Sequence, residues 1–138
     1  MLELTAALAI IGIVVGLTLP GLRESRDVVA ARGARNALAA GIARTRSAAI
    51  ANGGALLVVQ PPEARFWIES TDGDTLVRSV DLAADYGVTL SAGASAKARV
   101  ELRFDGLGIG RVASRTFTLT RGGASARLTV SSYGRVSQ

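Results

Sequence analysis

Catalysis and metal binding need groups that hold protons, electrons or ions, and this sequence is sparing with them. Among 138 residues there is no histidine and no cysteine. That removes the commonest general base, any thiolate nucleophile, disulfides, and the preferred ligands of zinc and copper. Lys97 is the one lysine, and no Ser-x-x-Lys spacing surrounds it. Asp72 and Asp74 flank Gly73 in "TDGDT", a pair that could touch a cation but lacks the further oxygen ligands of a calcium loop. A surface turn is expected there. "GLGIG" (106–110) leads into Arg111 and a strand-like run, whereas a glycine-rich phosphate loop needs a following helix. It reads as a hairpin connection. No enzyme activity, cofactor or metal is expected.

Two groups of charges remain. Arg111, Arg115, Arg121, Arg127 and Arg135 lie on or beside the last strand-like segments, in a chain of net charge +5. Were they to share one face they could neutralise several phosphates of DNA, a salt-sensitive and sequence-independent mode. A solvated basic face is the plainer expectation. The other charge is Glu3, which heads "LTAALAIIGIVVGLTLPGL", residues without a charge from Leu4 to Leu22. A carboxylate at the mouth of such a run is costly inside a bilayer unless it finds a partner.

These charges must be positioned by the elements around them. A helix over residues 4–22 would span roughly 28 Å, close to a bilayer's hydrocarbon thickness. Leu4, Ile10, Ile11, Ile13, Val14, Val15, Leu17 and Leu19 supply its apolar surface, and a retained membrane helix is expected over residues 1–22. Pro20, Gly12 and Gly16 would soften or kink it. The amphipathic continuation, residues 23–53, carries a stripe of Val28, Ala31, Leu38, Ile42 and Ala49. Gly33 and Gly41 would weaken it locally, and Asn52-Gly53-Gly54 stops it. The full helix would run about 50 residues, or roughly 75 Å.

Residues 54–138 alternate like half-buried strands. "ALLVVQ", "RFWIES", "LVRSVDL", "GVTLSA", "ARVELRFD", "RTFTLTR" and "ARLTVSSYGRV" predict about seven, in two small sheets packed on the helix. Phe66 and Trp67 belong near the core, with one of them facing outward. The fold class is α+β: a long N-terminal helix on an antiparallel β domain.

The motifs carry a family resemblance. "LELTAALAIIGIVVGLTLPGL" resembles the N-terminal segment of type IV pilins and type II secretion pseudopilins, including the Glu3-to-Pro20 separation, although the two residues before Glu3 match loosely. "ARTRSAAIANG" is similar to a stretch of the GspH/FimT minor pseudopilins and minor pilins: Arg46, Ser47, Ala49 and Ile50 match, with Ala48 in place of a glutamate. "VELRFDGLG" and "LTVSSYGRVSQ" add Phe104, Gly106, Gly134 and Arg135.

The resemblance implies a pilin-like subunit that assembles through its helix with other pseudopilins or pilins on an inner-membrane platform. It implies a basic leader ending in Gly upstream, removed by a prepilin peptidase before N-terminal methylation. Positive-inside counting of Arg23, Arg26, Arg32 and Arg35 alone would put the β domain in the cytoplasm; such a leader would place it in the periplasm. Glu3 and Pro20 become assembly residues, Glu3 pairing with a neighbour's terminal amine. Type II secretion is the expected system. A FimT-like minor pilin acting in pilus priming or DNA uptake is the alternative, and an unrelated membrane-anchored β domain is another.

Overall fold

The computed structural model describes the backbone of residues 2–93, 98–111 and 113–137, and the side chains of these except 2–6, 9–20 and 22. Helix α1 runs from Leu2 to Asn52, 51 residues. It ends at the Asn-Gly-Gly stop, where Gly53 takes the left-handed conformation with φ 77°. The buried stripe on its second half is Ala31, Ala34, Leu38, Ile42, Thr45 and Ala49. These spacings of three and four keep one face of a helix on the core. Thr45 is tolerated there because its hydroxyl donates to the Gly41 carbonyl, 2.8 Å away, which satisfies the buried oxygen within the helix.

Among the described residues eight strands follow: β1 (Gly54–Gln60), β2 (Arg65–Ser70), β3 (Thr75–Asp81), β4 (Thr89–Ala92), β5 (Val100–Asp105), β6 (Arg115–Arg121), β7 (Ala124–Val130) and β8 (Val136–Ser137). They form two antiparallel four-stranded sheets, in the orders β3-β2-β1-β5 and β4-β6-β7-β8. Helix α1 touches β1, β2 and β5 of the first sheet and β6 and β7 of the second. The core lies in the wedge between them, built on Leu38, Ile42, Leu57, Phe66, Leu102, Phe104, Phe117, Leu119 and Leu128.

Period-two alternation explains this core. Val100, Leu102 and Phe104 are buried while Glu101 and Arg103 are exposed. On β2, Phe66 faces the core and Trp67 faces outward, with its indole N–H donating to Glu69 at 2.6 Å. Arg99 stacks 5.6 Å from the Trp67 ring centroid and reaches both Glu69 and Glu101. Strand β1 is central and buried along both faces, which is why it reads as an unbroken apolar run.

Two helix glycines take a role that propensity does not suggest. A Cβ on Gly41 would lie 2.5 Å from Phe66 Cε2, and one on Gly33 would lie 2.8 Å from Tyr86 Cε1. Each glycine is where an aromatic ring from the β domain reaches the helix backbone. They are packing seats rather than simple points of weakness.

The strand pattern departs from expectation in three places. "LVRSVDL" ends as a strand at Asp81, and a short helix α2, Leu82–Tyr86, follows. The Asp81 carboxylate accepts from the Ala84 N–H at 2.9 Å, and Gly87 closes the turn with φ 64°. Cap and stop are local hydrogen-bonding signals that outweigh the alternation. "GLGIG" makes a hairpin-like turn, with Phe104 bridging Gly110, but β6 beyond it belongs to the other sheet. Finally, the last segment is broken: β7 stops at Val130, a tight turn covers Ser131 to Arg135, and β8 follows. "TDGDT" is the expected turn, closed by Ser70 N–H to the Asp74 carbonyl at 2.8 Å.

Candidate assembly surface

Glu3, Pro20 and the apolar positions Leu4, Ile10, Ile11, Ile13, Val14, Val15, Leu17 and Leu19 are on α1, but their side chains lie outside the described residues. Among the described residues no helix is long and apolar enough to cross a membrane. The site that can be built from side chains is at the other end of α1.

There the motif residues Arg46, Phe104 and Gly134 come together although they are far apart in sequence. The Arg46 guanidinium donates from Nη2 to the Gly134 carbonyl at 3.0 Å. Its Cζ lies 5.9 Å from the centroid of the Phe104 ring, within cation–π range. Gly134 is left-handed at φ 78°, and a Cβ there would come within 2.5 Å of Phe104 Cε1. Gly110 lies equally close: its added Cβ would be 2.7 Å from the Gly134 nitrogen. The Gly110 N–H donates to the Tyr133 carbonyl at 3.1 Å. Gly106 sits on the end of the helix, where a Cβ would be 3.1 Å from the Gly53 carbonyl oxygen. Gly134 thus seats the last turn on a buried phenylalanine, Gly110 and Gly106 let their own turn press on Gly134 and on the helix end, and one arginine ties the last turn to the helix. We call this arrangement the clasp. Arg135 adjoins it but is exposed, and only its backbone takes part in the local turn, donating to Ser131 Oγ at 3.1 Å.

Around the clasp, apolar side chains face solvent. Leu107 is 79%, Tyr133 74%, Ile50 58% and Ile109 44% exposed. Asp105 organises the turn that displays two of them, its Oδ1 accepting from the N–H groups of Ile109 (2.9 Å) and Leu107 (3.1 Å). The Ile109 bond, then the Leu107 bond and the Arg111 guanidinium, hold its carboxyl below the ordinary carboxylate range against partial desolvation. A carboxylate depressed on folding stabilises the fold above its unfolded pKa of 3.8, and that contribution is lost as pH falls through the still lower folded value. Asp105→Asn should therefore lower the melting temperature at pH 7 and have little effect near pH 2. Thermal melts at the two pH values check this; an equal loss at both would remove the carboxylate's charge from the account.

The C-terminal arginines do not form one face. Arg115 and Arg121 share strand parity with buried Phe117 and Leu119, whereas Arg127 is exposed and pairs in register with Thr118 on the opposite parity. Arg121 is engaged: its Nε lies 3.1 Å from Asp27 Oδ1 and its Nη1 donates to the Tyr86 carbonyl at 2.6 Å. Arg111 Nε is 3.6 Å from Asp105. Because the chain turns after Val130, Arg135 is not on a continuous strand with Arg127. Alternation and ion pairing disperse the charge that a groove for a duplex would need concentrated. A random duplex titrated with the domain should show only weak binding at low salt, with no added loss in Arg135→Glu. Tight, Arg135-dependent binding would contradict the dispersed arrangement.

A long helix laid across two small antiparallel sheets, with its C-terminal end clasped by the closing turn, is the architecture of a pilin-like subunit. Residues 34–134 match the family described as type II transport protein GspH, and the chain belongs to that family. Two crystal structures of the type IV minor pilin FimU of Pseudomonas aeruginosa (strain PAO1) share the fold. One, in space group P21, has a TM-score of 0.60 at 20% identity, covering 78% of this chain and 86% of that one. The other, in P65, has a TM-score of 0.57 at 20% identity, covering 77% and 90%. No curated protein matches the chain.

Proposed function

We propose that this protein is a minor pseudopilin that assembles into the type II secretion pseudopilus and supports protein secretion across the outer membrane. The observation that carries the reading is the GspH family match over residues 34–134, which spans the last part of the helix, strands β1 to β7 and the clasp. Residues 1–22 anchor the subunit in the inner membrane as a single span, supported by the charge-free stretch from Leu4 to Leu22. Residues 23–53 and 54–138 form the periplasmic part. The mechanism is assembly: the platform draws helices into a short fibre, the β domains make its surface, and a prepilin peptidase frees the N-terminus beforehand.

In this reading Glu3 is the residue that reads a neighbour. A carboxylate in hydrocarbon gains most from an opposite charge, and the terminal amine of an adjacent subunit supplies one. Glu3→Ala should leave membrane insertion intact while reducing fibre incorporation and secretion several-fold. Membrane fractionation and a secretion assay in a native-expression strain check this. Normal secretion in the variant would remove Glu3 from the mechanism. Deleting the gene separates the systems: loss of secreted protein with normal piliation supports the pseudopilin, and loss of pili with normal secretion supports a FimT-like minor pilin.

A further inference from the structure

Helix α1 is tied to the β domain by polar contacts at two heights. The upper one is the clasp, where Arg46 of the helix reaches the Gly134 carbonyl. In the lower one the direction is reversed. Arg121, the last residue of β6, reaches the helix at Asp27, with Nε 3.1 Å from Oδ1. Among the described residues this is the one ion pair between α1 and the β domain.

The lower contact has two grips. From the same guanidinium Nη1 donates to the Tyr86 carbonyl, at the end of α2, at 2.6 Å. The turn after β6 closes over the pair, and a Cβ on Gly122 would run into the Asp27 carboxylate. One planar side chain thus joins α1, α2 and β6, and the fixed angle between its donors fixes the angle between the elements.

Position gives this join leverage. The apolar grip on the helix begins at Ala31, and among the described side chains none before it is buried. The stripe there starts with two alanines, Ala31 and Ala34, and the residue between them that meets an aromatic ring is Gly33. Apolar packing at the root is therefore thin. Asp27 sits about one helical turn before Ala31, and the helix runs on from it to Leu2. Leu8 lies about 35 Å from Ala31 along the axis, so each degree of tilt at Ala31 moves it by about 0.6 Å. An ion pair whose side chains are 39% and 26% exposed adds little to stability. It restricts an angle more than it holds the fold.

We propose that Arg121 is a positioning residue: it sets the direction in which the protruding part of α1 leaves the β domain, and the arm pivots at Ala31 when the guanidinium lets go. With both grips closed, every copy of the protein presents its arm at one angle. The inference goes beyond the assembly reading and does not depend on it, because distances within a single molecule read it.

The chain has no cysteine, so spin labels go only where cysteines are introduced. Leu8→Cys with Arg127→Cys, in the full chain in maltoside micelles, spans arm and domain, and both positions are exposed. Arg44→Cys with Arg127→Cys is the control, since Arg44 is exposed on the part of α1 beyond Ala31 that the domain holds. Double electron–electron resonance should give one narrow arm distance when Asp27 and Arg121 are intact. Arg121→Gln and Asp27→Ala should each broaden that distance or shift it by several ångström, leaving the control pair unchanged. Arg121→Lys keeps the charge but cannot span both acceptors, and should behave like Arg121→Gln. A native arm distance in Arg121→Gln and Asp27→Ala would overturn the proposal. So would equal changes in both label pairs, which report a repacked domain, or a broad arm distance with the ion pair intact. Full rescue by lysine would overturn the two-grip arrangement and leave charge alone as the tie.

Discussion

Gly134→Ala is expected to cost about 3–5 kcal/mol, a large share of the roughly 5–15 kcal/mol that holds a domain of this size together. Two effects add. The left-handed backbone at φ 78° penalises any Cβ by ~1–2 kcal/mol. The new methyl would also meet Phe104, 0% exposed, at 2.5 Å. Relief requires the last turn to retreat, which breaks the Arg46 bond to the Gly134 carbonyl. In a fragment starting at Arg23 the melting temperature should fall by roughly 10–20 °C. A shift of under about 3 °C would mean that the turn moves freely and the clasp contributes little.

Gly41→Leu should be of similar size for a different reason. A backbone that is regular helix imposes no conformational penalty, and leucine is the better helix former by nearly 1 kcal/mol. Packing decides the sign. Phe66, 3% exposed, lies with three ring atoms within 3.2 Å of the new Cβ, so its ring must leave the core. Losing that burial, with the strain of the intruding side chain, should total about 3–5 kcal/mol. Gly33→Ala is the control. Tyr86 is only half-buried and can swing aside, so the gain in helix propensity should hold that change within about 1 kcal/mol of neutral. Urea unfolding of the three proteins, followed by Trp67 fluorescence, compares them. Equal losses in the leucine variant and the alanine control would overturn the argument from Phe66.

Those two glycines also mark where a single sequence is readable and where it is not. The length of α1, its stop at Asn52 and the inward faces of β5, β6 and β7 follow from periodicity and local chemistry, which the sequence carries directly. That Gly41 is a seat for Phe66 depends on a contact between positions that only the finished fold brings together. The clasp is similar: Arg46, Phe104 and Gly134 could be picked out by resemblance, but no spacing rule announces that one donates to another. Helix α2 was within reach, because Asp81 and Gly87 bracket it as cap and stop. Thr45 was harder, since a hydroxyl on an apolar stripe fits only once it bonds Gly41's carbonyl. The arginines show the reverse problem. Their number suggested a surface, and register with ion pairing distributed them.

The clasp also sets the order in which the molecule can become itself. Arg46 and Gly134 are separated by 88 positions, and β7 and β8 complete the second sheet after every other strand. Contacts of such span are slow to form, because a long loop must close before any of them rewards the loss of chain entropy. A growing or threading chain can make α1 and the β1–β2 hairpin early, but it cannot lock the helix until Gly134 has emerged. Until then Phe104 and the wedge beside it stay open to water and to other chains. The kinetic risk therefore falls on the interval between the emergence of β5 and the arrival of Gly134, and removing the chain from Gly134 onward should leave a collapsed, unlatched domain rather than a slightly weaker one.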